Sequence, residues 1–67
     1  RLKNRLKEFR AKRNITQTEL AVLAGVSRKT INTVENEVFV PSATLAFLLA
    51  EALGTTVDSL FYLDEAK

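Results

Sequence analysis

The sequence predicts a small all-α fold of five helices, and three observations support this. Apolar residues recur at helical spacing along most of the 67 residues. Ser, Thr and Gly stand at positions that begin and end helices. Strand patterning is nearly absent, since the β-prone run 38–40 is short and a proline follows it. We therefore predict one helical domain over residues 1–67.

The first helix is predicted over residues 2–13. Leu2, Leu6 and Phe9 stand at positions i, i+4 and i+7 and form one apolar stripe. Asn14 is the predicted end of this helix.

The second helix is predicted over residues 17–24. Thr16 can cap it, and Glu19, three residues later, completes a capping box. Gly25 stands where a helix ends with positive φ. The inward-facing residues are Leu20, Ala21 and Ala24.

The third helix is predicted over residues 28–36, with Ser27 as its cap. Ile31 and Val34 face inward, and Val26 fills the core from the preceding turn. The exposed first turn carries Arg28, Lys29 and Thr30. A helix that presents such side chains from its first turn suits the major groove of DNA.

The last two helices are predicted over residues 42–53 and 57–61, with Ser42 and Thr56 as caps and Gly54 between them. The broad apolar face of the fourth helix consists of Leu45, Leu48, Leu49, Ala52 and Leu53. The run 61–63 is alternatively a short extended segment.

Charge is distributed unevenly along the chain. Residues 1–33 hold nine of the ten basic and two of the eight acidic residues, a net charge of +7, and residues 34–67 carry −5. This polarity indicates a polyanion facing one end of the molecule. The alternative is a set of solvated helix faces with an acidic tail, and Lys3, Lys7 and Arg13 are assigned to general solvation or loose attraction to DNA.

Composition excludes several classes of function. The chain has no cysteine and no histidine, so it lacks disulfides, thiolate metal sites and the commonest general base. No apolar run approaches the roughly 18 residues of a membrane span. We expect a soluble cytoplasmic protein that is not an enzyme, with no cofactor, no metal and no membrane partner.

Five short motifs together resemble the phage-repressor and Cro-type helix-turn-helix family, also called the xenobiotic-response-element family. They are Thr16-Gln17-x-x-Leu20-Ala21, Gly25-Val26-Ser27, Ile31-x-x-Val34-Glu35-Asn36, Pro41-Ser42 and Ala52-Leu53-Gly54. The resemblance covers nearly the whole chain. It implies a lambda-repressor-like DNA-binding fold, a helix-turn-helix over about 17–36, and a sequence-specific regulator of transcription, a repressor, that binds double-stranded DNA.

The resemblance also implies roles for particular residues. Base-reading positions correspond to Arg28, Lys29 and Thr33. Positions that contact DNA phosphate correspond to Gln17, Ser27 and Asn36. A structural ion pair corresponds to Arg10 and Glu35.

The resemblance further implies a homodimer. One recognition helix reads only about four to six base pairs, too few for specificity in a genome. Two copies on a two-fold axis would read an inverted repeat. The apolar candidates for the dimer interface are the outer face of the fourth helix, the 38–40 loop and residues 61–63. Of these we favour the C-terminal region, with Tyr62 and Leu63.

The sequence departs from the family immediately after Asn36. A glycine and often a basic residue follow in the family, whereas Glu37 and Val38 stand here. This predicts an acid near the DNA backbone, which weakens binding, and the loss of a residue that tolerates left-handed geometry. The apolar run 38–40 adds surface that suits a protein contact.

Two alternative functions stay open. The same fold serves antitoxins and controllers of restriction systems, although an antitoxin needs surface beyond this small domain. The other alternative is a protein-interaction bundle that uses the 38–40 loop and does not bind DNA, and Glu37 is the feature that favours it.

Overall fold

The structure, a computed structural model, describes residues 1–64. Over this range five helices and two short strands follow one another as β1 (Leu2–Asn4), α1 (Leu6–Arg13), α2 (Gln17–Ala24), α3 (Arg28–Glu35), α4 (Ala43–Ala52), α5 (Val57–Leu60) and β2 (Phe61–Leu63). The predicted helical fold is confirmed, with one correction at each end.

The first correction concerns residues 2–4, which form a strand and not the start of the first helix. β1 pairs antiparallel with β2, with Leu2 opposite Leu63 and Asn4 opposite Phe61. The spacing of Leu2 and Leu6 fits both structures, because residues four apart share a face in a helix and in a strand. Asn4 decides the boundary, since its Oδ1 accepts the Leu6 N–H at 3.1 Å.

The second correction concerns the C-terminal end, where α5 stops at Leu60 and residues 61–63 take the extended alternative. The Arg5 N–H donates to the Leu60 carbonyl at 2.8 Å. This bond joins the start of α1 to the end of α5. Together with the pairing of β1 and β2, it holds the two ends of the domain side by side.

The predicted helix caps are confirmed. Thr16 and Glu19 form the capping box of α2, and the side chains of Ser27, Ser42 and Thr56 cap the next three helices. The left-handed residue at the end of α1 is Asn14, with φ 58°.

One core holds the helices together. Its fully buried side chains come from all five helices and the residue after α4, and they are Leu6, Leu20, Ile31, Val34, Leu49, Leu53 and Leu60. Burying such a side chain stabilises the fold by about 1.5–3 kcal/mol. Leu48, predicted for the inner face of α4, is 39% exposed instead.

Candidate nucleic-acid interface

The turn between α2 and α3 is held by backbone geometry. Gly25 has φ 74°, and its N–H donates to the Val22 carbonyl at 3.2 Å. The next N–H, of Val26, donates to the Ala21 carbonyl at 3.0 Å. A Cβ atom at position 25 would meet no atom within 4 Å, so glycine is favoured there by its positive φ and not by crowding.

α3 is fixed in the core by one face and is exposed on the other. Ile31 and Val34 are 0% and 1% exposed, and they set the angle at which the other face protrudes. That outer face includes the exposed residues Ser27, Arg28, Lys29, Asn32 and Asn36. Ala21, also buried, lies in α2, which packs against α3.

The three residues predicted to read bases lie on this outer face but differ in exposure and in hydrogen bonding. Arg28 and Lys29 are exposed in the first turn, and within residues 1–64 neither forms an ion pair. Thr33 is half-buried, and its hydroxyl donates to the Thr30 carbonyl at 2.9 Å. Toward a ligand Thr33 therefore offers an acceptor oxygen and a methyl group, but no hydroxyl proton.

The three residues predicted to contact phosphate each make a bond within the chain. Gln17, the first residue of α2, donates from Nε2 to Glu35 Oε1 at 3.0 Å. The Ser27 hydroxyl accepts the Thr30 N–H at 3.1 Å. Asn36 Nδ2 donates to Asn32 Oδ1 at 3.3 Å. These bonds hold the side chains near both ends of α3 and the start of α2.

A depression of about 600 Å³ lies at the start of α2 and reaches α3. Its lining residues are Arg10, Ile15, Thr16, Gln17, Thr18 and Arg28. The Arg28 guanidinium thus borders the first turn of a helix, where backbone N–H groups lack partners within the helix. The Arg10 guanidinium also lines the depression, but its charge is paired with Glu35. This combination of positive charge and N–H donors suits an anion such as phosphate.

Arg10 and Glu35 lie together beneath this surface. Arg10 Nε is 2.6 Å from Glu35 Oε2, and Arg10 Nη2 donates to Oε1 at 3.2 Å. The guanidinium also donates from Nη1 to the Ile15 carbonyl at 3.1 Å. The Glu35 side chain is fully buried, and Gln17 supplies its third donor. The network therefore links α1, α2 and α3.

Glu37 takes the left-handed conformation that was expected to require glycine, with φ 63°. Its carboxylate lies 3.2 Å from Lys3 Nζ and 3.8 Å from Arg1 Nε. The acid is thus partly neutralised by Lys3 of β1 and by Arg1, which precedes the strand.

Comparison with known proteins agrees with this geometry. The sequence profile of the helix-turn-helix family matches residues 6–60. The chain belongs to the Cro/C1-type helix-turn-helix family.

Similar proteins from archaea and a bacterium match over almost their whole length. An uncharacterized HTH-type transcriptional regulator of Archaeoglobus fulgidus is 42% identical over 66 residues, which cover 98% of this chain and 93% of the relative. A second, from Methanocaldococcus jannaschii, is 41% identical over 96% of this chain and 97% of its own. The uncharacterized HTH-type transcriptional regulator YgzD of Bacillus subtilis is 34% identical, with the same coverage. Family and relatives point to a non-enzymatic DNA-binding protein.

The helix-turn-helix domain has a second exposed surface around the residues predicted for a dimer interface. Tyr62 and Leu63 lie on β2 and are 40% and 71% exposed. They border an open groove of about 1010 Å³ that Phe47, Leu48 and Val57 also line. The Arg5 guanidinium lies over the Tyr62 ring, 4.1 Å from its centroid.

The part of the chain that the structure describes has neither a metal-binding cluster nor a membrane-spanning helix. Within residues 1–64, no three His, Cys, Asp or Glu side chains lie close enough together to hold a metal ion. No helix in this part of the chain has the length and apolar character needed to cross a membrane.

Sequence reasoning missed two polar contacts that position the candidate site. Asn4 Nδ2 donates to the Val34 carbonyl at 2.9 Å, which ties β1 to the end of α3. Arg13, assigned to general solvation, donates from Nη1 to the Leu53 carbonyl at 3.2 Å, at the end of α4. Asn4 precedes Arg5, the N-cap of α1, and nothing in the sequence indicated the partner of Asn4 or that of Arg13.

Proposed function

We propose that the chain is a sequence-specific regulator of transcription, a repressor, that binds an inverted-repeat operator in double-stranded DNA as a homodimer. The observation that carries the proposal is the first turn of α3. There Arg28 and Lys29 are exposed, while Ile31 and Val34 hold the helix in the core. α3 would enter the major groove with this turn toward the base edges.

In this proposal the two cations have different tasks. The Arg28 guanidinium can bind O6 and N7 of guanine together, which discriminates against other bases by about 1–3 kcal/mol. Lys29 would contact a guanine or a phosphate. Thr33, lacking a free hydroxyl proton, would accept from a base amino group or make an apolar contact.

Phosphate contacts would fix the protein on the duplex. Gln17 lies at the start of α2, in the depression that Arg10 and Arg28 border. A phosphate there would meet the N–H groups of the first turn. Ser27 and Asn36, at the two ends of α3, would contact the backbone on either side of the bases that are read.

The homodimer would form through Tyr62, Leu63 and the apolar groove beside them. Exposed apolar surface of this kind marks interaction sites. A two-fold axis there would present two α3 helices to one face of the DNA, about 34 Å apart. We expect such a regulator to act in the cytoplasm of a prokaryote, the compartment that contains the DNA.

The test is selection of binding sites from random duplex DNA with the purified protein. An enriched inverted repeat supports both the regulator and the dimer, and an enriched single half-site supports the regulator alone. No enrichment at low salt overturns the proposal and favours the protein-interaction bundle, for which the exposed residues Val38 and Phe39 are the specific observation.

A matched pair of variants makes this test specific. Lys29→Ala should weaken binding, because the lysine lies on α3 beside Arg28. Lys7→Ala removes the same charge from the exposed face of α1 and should weaken binding less. Equal losses would show that overall charge, and not α3, determines binding.

A further inference from the structure

The open groove beside Tyr62 and Leu63 is lined by negative charge and by no positive charge. It has a volume of about 1010 Å³ and lies between α4 on one side and α5 with β2 on the other. Among residues 1–64 no lysine or arginine lines it, and its charged lining residues are Glu51 and Asp58. The groove therefore differs in charge from the cationic surface of α3.

Aromatic side chains are concentrated in the same groove. Three of the five aromatic residues of the chain line it, namely Phe47, Phe61 and Tyr62. Phe47 and Tyr62 are exposed, and Phe61 is buried. The face of an aromatic ring attracts a cation, more strongly where water is excluded. The groove thus combines two kinds of group that favour positive charge, carboxylates and aromatic rings.

The two carboxylates lie at one end of the groove. Glu51 is in the last turn of α4 and Asp58 is in the first turn of α5, so they flank the short connection between these helices. Neither forms an ion pair within residues 1–64. Thr44, Phe47 and Leu48 continue the α4 wall away from this end, because residues three, four and seven apart share one face of a helix.

A cation of the chain itself already contacts Tyr62. The Arg5 guanidinium lies 4.1 Å from the centroid of the ring, although Arg5 does not line the groove. Tyr62 lies on β2, past the end of α5. A cationic ligand would therefore place its charge beside Glu51 and Asp58, away from Arg5, and its apolar part along Phe47.

We infer that this groove binds a small organic cation with an aromatic body, such as a quaternary ammonium or phosphonium compound. Small-molecule sites have volumes of about 300–1,000 Å³ and are mostly apolar, with few polar groups, and the groove fits this description. Because Tyr62 and Leu63 also belong to the proposed dimer interface, the ligand and a second copy would compete. The cation would then lower the affinity for the operator, an effect that rests on the proposed function.

The experiment titrates the purified chain with tetraphenylphosphonium, whose phenyl rings surround one positive charge. Tetraphenylborate has the same shape and a negative charge, and it is the matched control. Amide NMR spectra locate the binding, and Tyr62, the single tyrosine of the chain, reports from the groove through its ring signals. We expect saturable shifts in the groove with the cation, and at least about fivefold weaker binding there of the anion.

Charge variants assign the effect to the two carboxylates. Glu51→Gln and Asp58→Asn each remove one negative charge at nearly constant size. Each should weaken cation binding by about two- to fivefold, the value for one exposed charge pair, and the double variant should bind both probes alike. Glu8→Gln is the control, because Glu8 is exposed on α1 outside the groove.

A second pair of variants tests the aromatic contribution. Phe47→Ala removes an exposed ring of the groove and should weaken cation binding. Phe39→Ala removes a ring that is also exposed but lies outside the groove, and it should have no effect. Circular dichroism melting checks that each variant folds.

Three outcomes overturn the site. They are the absence of saturable shifts in the groove at every protein concentration, equal binding of the two probes by the parent chain, and unchanged cation binding by the double variant. Dilution is part of the design because a second copy competes for the same surface. The apparent affinity for the cation should therefore rise as the protein concentration falls.

The effect on DNA is measured separately, with the site enriched from random duplex DNA. Tetraphenylphosphonium should lower the affinity of the parent chain for that site and should affect the double variant less. If the cation binds the groove but changes neither self-association nor DNA binding, the regulatory effect is overturned and the site stands. If no DNA is enriched, the proposed function fails, and the NMR titration still decides the site.

Discussion

Lys3 Nζ lies 3.2 Å from Glu37 Oε1 and connects strand β1 to the turn that follows α3. The two residues are 34 positions apart in sequence. Asn4, next along the strand, donates to the Val34 carbonyl in the same region. The N-terminal strand thus supports the end of α3 and also pairs with β2.

Two opposing effects on stability meet at Glu37, the ion pair that its carboxylate forms and the left-handed conformation of its backbone, and mutation can separate them. Its φ of 63° is costly for any residue with a side chain, by about 1–2 kcal/mol. Its ion pair is partly exposed and contributes about 0.2–1 kcal/mol. Glu37→Ala loses the pair and keeps the strain, whereas Glu37→Gly loses the pair and relieves the strain.

We therefore expect Glu37→Gly to be more stable than Glu37→Ala by about 1 kcal/mol. The measurement is urea unfolding of both variants beside the parent chain. Equal stability of the two would show that the residue does not keep its left-handed conformation in solution.

A second prediction concerns the buried carboxylate of Glu35. Arg10→Ala leaves this fully buried group with Gln17 as its remaining side-chain donor. Removing one partner of a buried ion pair costs about 3–5 kcal/mol, which approaches the whole stability of a domain of this size. Thermal melting should show a large loss or an unfolded chain.

The matched control is Arg13→Ala, which removes an arginine from the same helix. Arg13 is exposed and makes one bond to the Leu53 carbonyl, so the expected loss is about 1 kcal/mol. Melting of Arg10→Ala at the temperature of the parent protein would contradict a structural role for the pair.

A third prediction separates base reading from phosphate contact. Arg28→Ala should relax the preference at one base pair in each half-site, with about 1–3 kcal/mol less discrimination. Gln17→Ala should weaken binding to all sequences alike. Site selection with each variant gives the measurement, and relaxed preference in Gln17→Ala alone would reverse the two roles.

Gln17 also bonds to Glu35, so its variant needs a stability control. Unfolding of Gln17→Ala should show a loss of about 1 kcal/mol or more, because a buried acceptor loses one donor. A folded variant that binds all sequences as the parent does would contradict the phosphate role.

The helix boundaries could be predicted because local signals determine them. The Thr16 capping box and the left-handed Gly25 depend on residues within one turn of the helix end. The start of α1 could not be predicted from spacing, because Leu2 is held by pairing with Leu63, at the other end of the chain. Long-range pairing of three-residue strands leaves no local pattern.

In the candidate site, too, features set by local sequence could be predicted, and features set by long-range packing could not. The exposed residues of α3 follow from the positions of Ile31 and Val34, which the helical period supplies. The bond from Gln17 to Glu35 and the pairing of Glu37 with Lys3 depend on how separate elements pack. The sequence predicted the loss of a glycine that tolerates left-handed geometry, and Glu37 itself takes that conformation, with φ 63°.

The last prediction concerns self-association through β2. Leu63 is 71% exposed and borders the apolar groove beside Tyr62, so a glutamate at position 63 would place a charge in the proposed interface without disturbing the core. We expect Leu63→Glu to be monomeric by sedimentation velocity where the parent chain is dimeric, with an unchanged helical circular dichroism spectrum.

Val22→Glu is the control, because Val22 is equally exposed, at 75%, but lies on α2 outside the groove. If Val22→Glu dissociates the dimer and Leu63→Glu does not, the interface lies on the other side of the molecule.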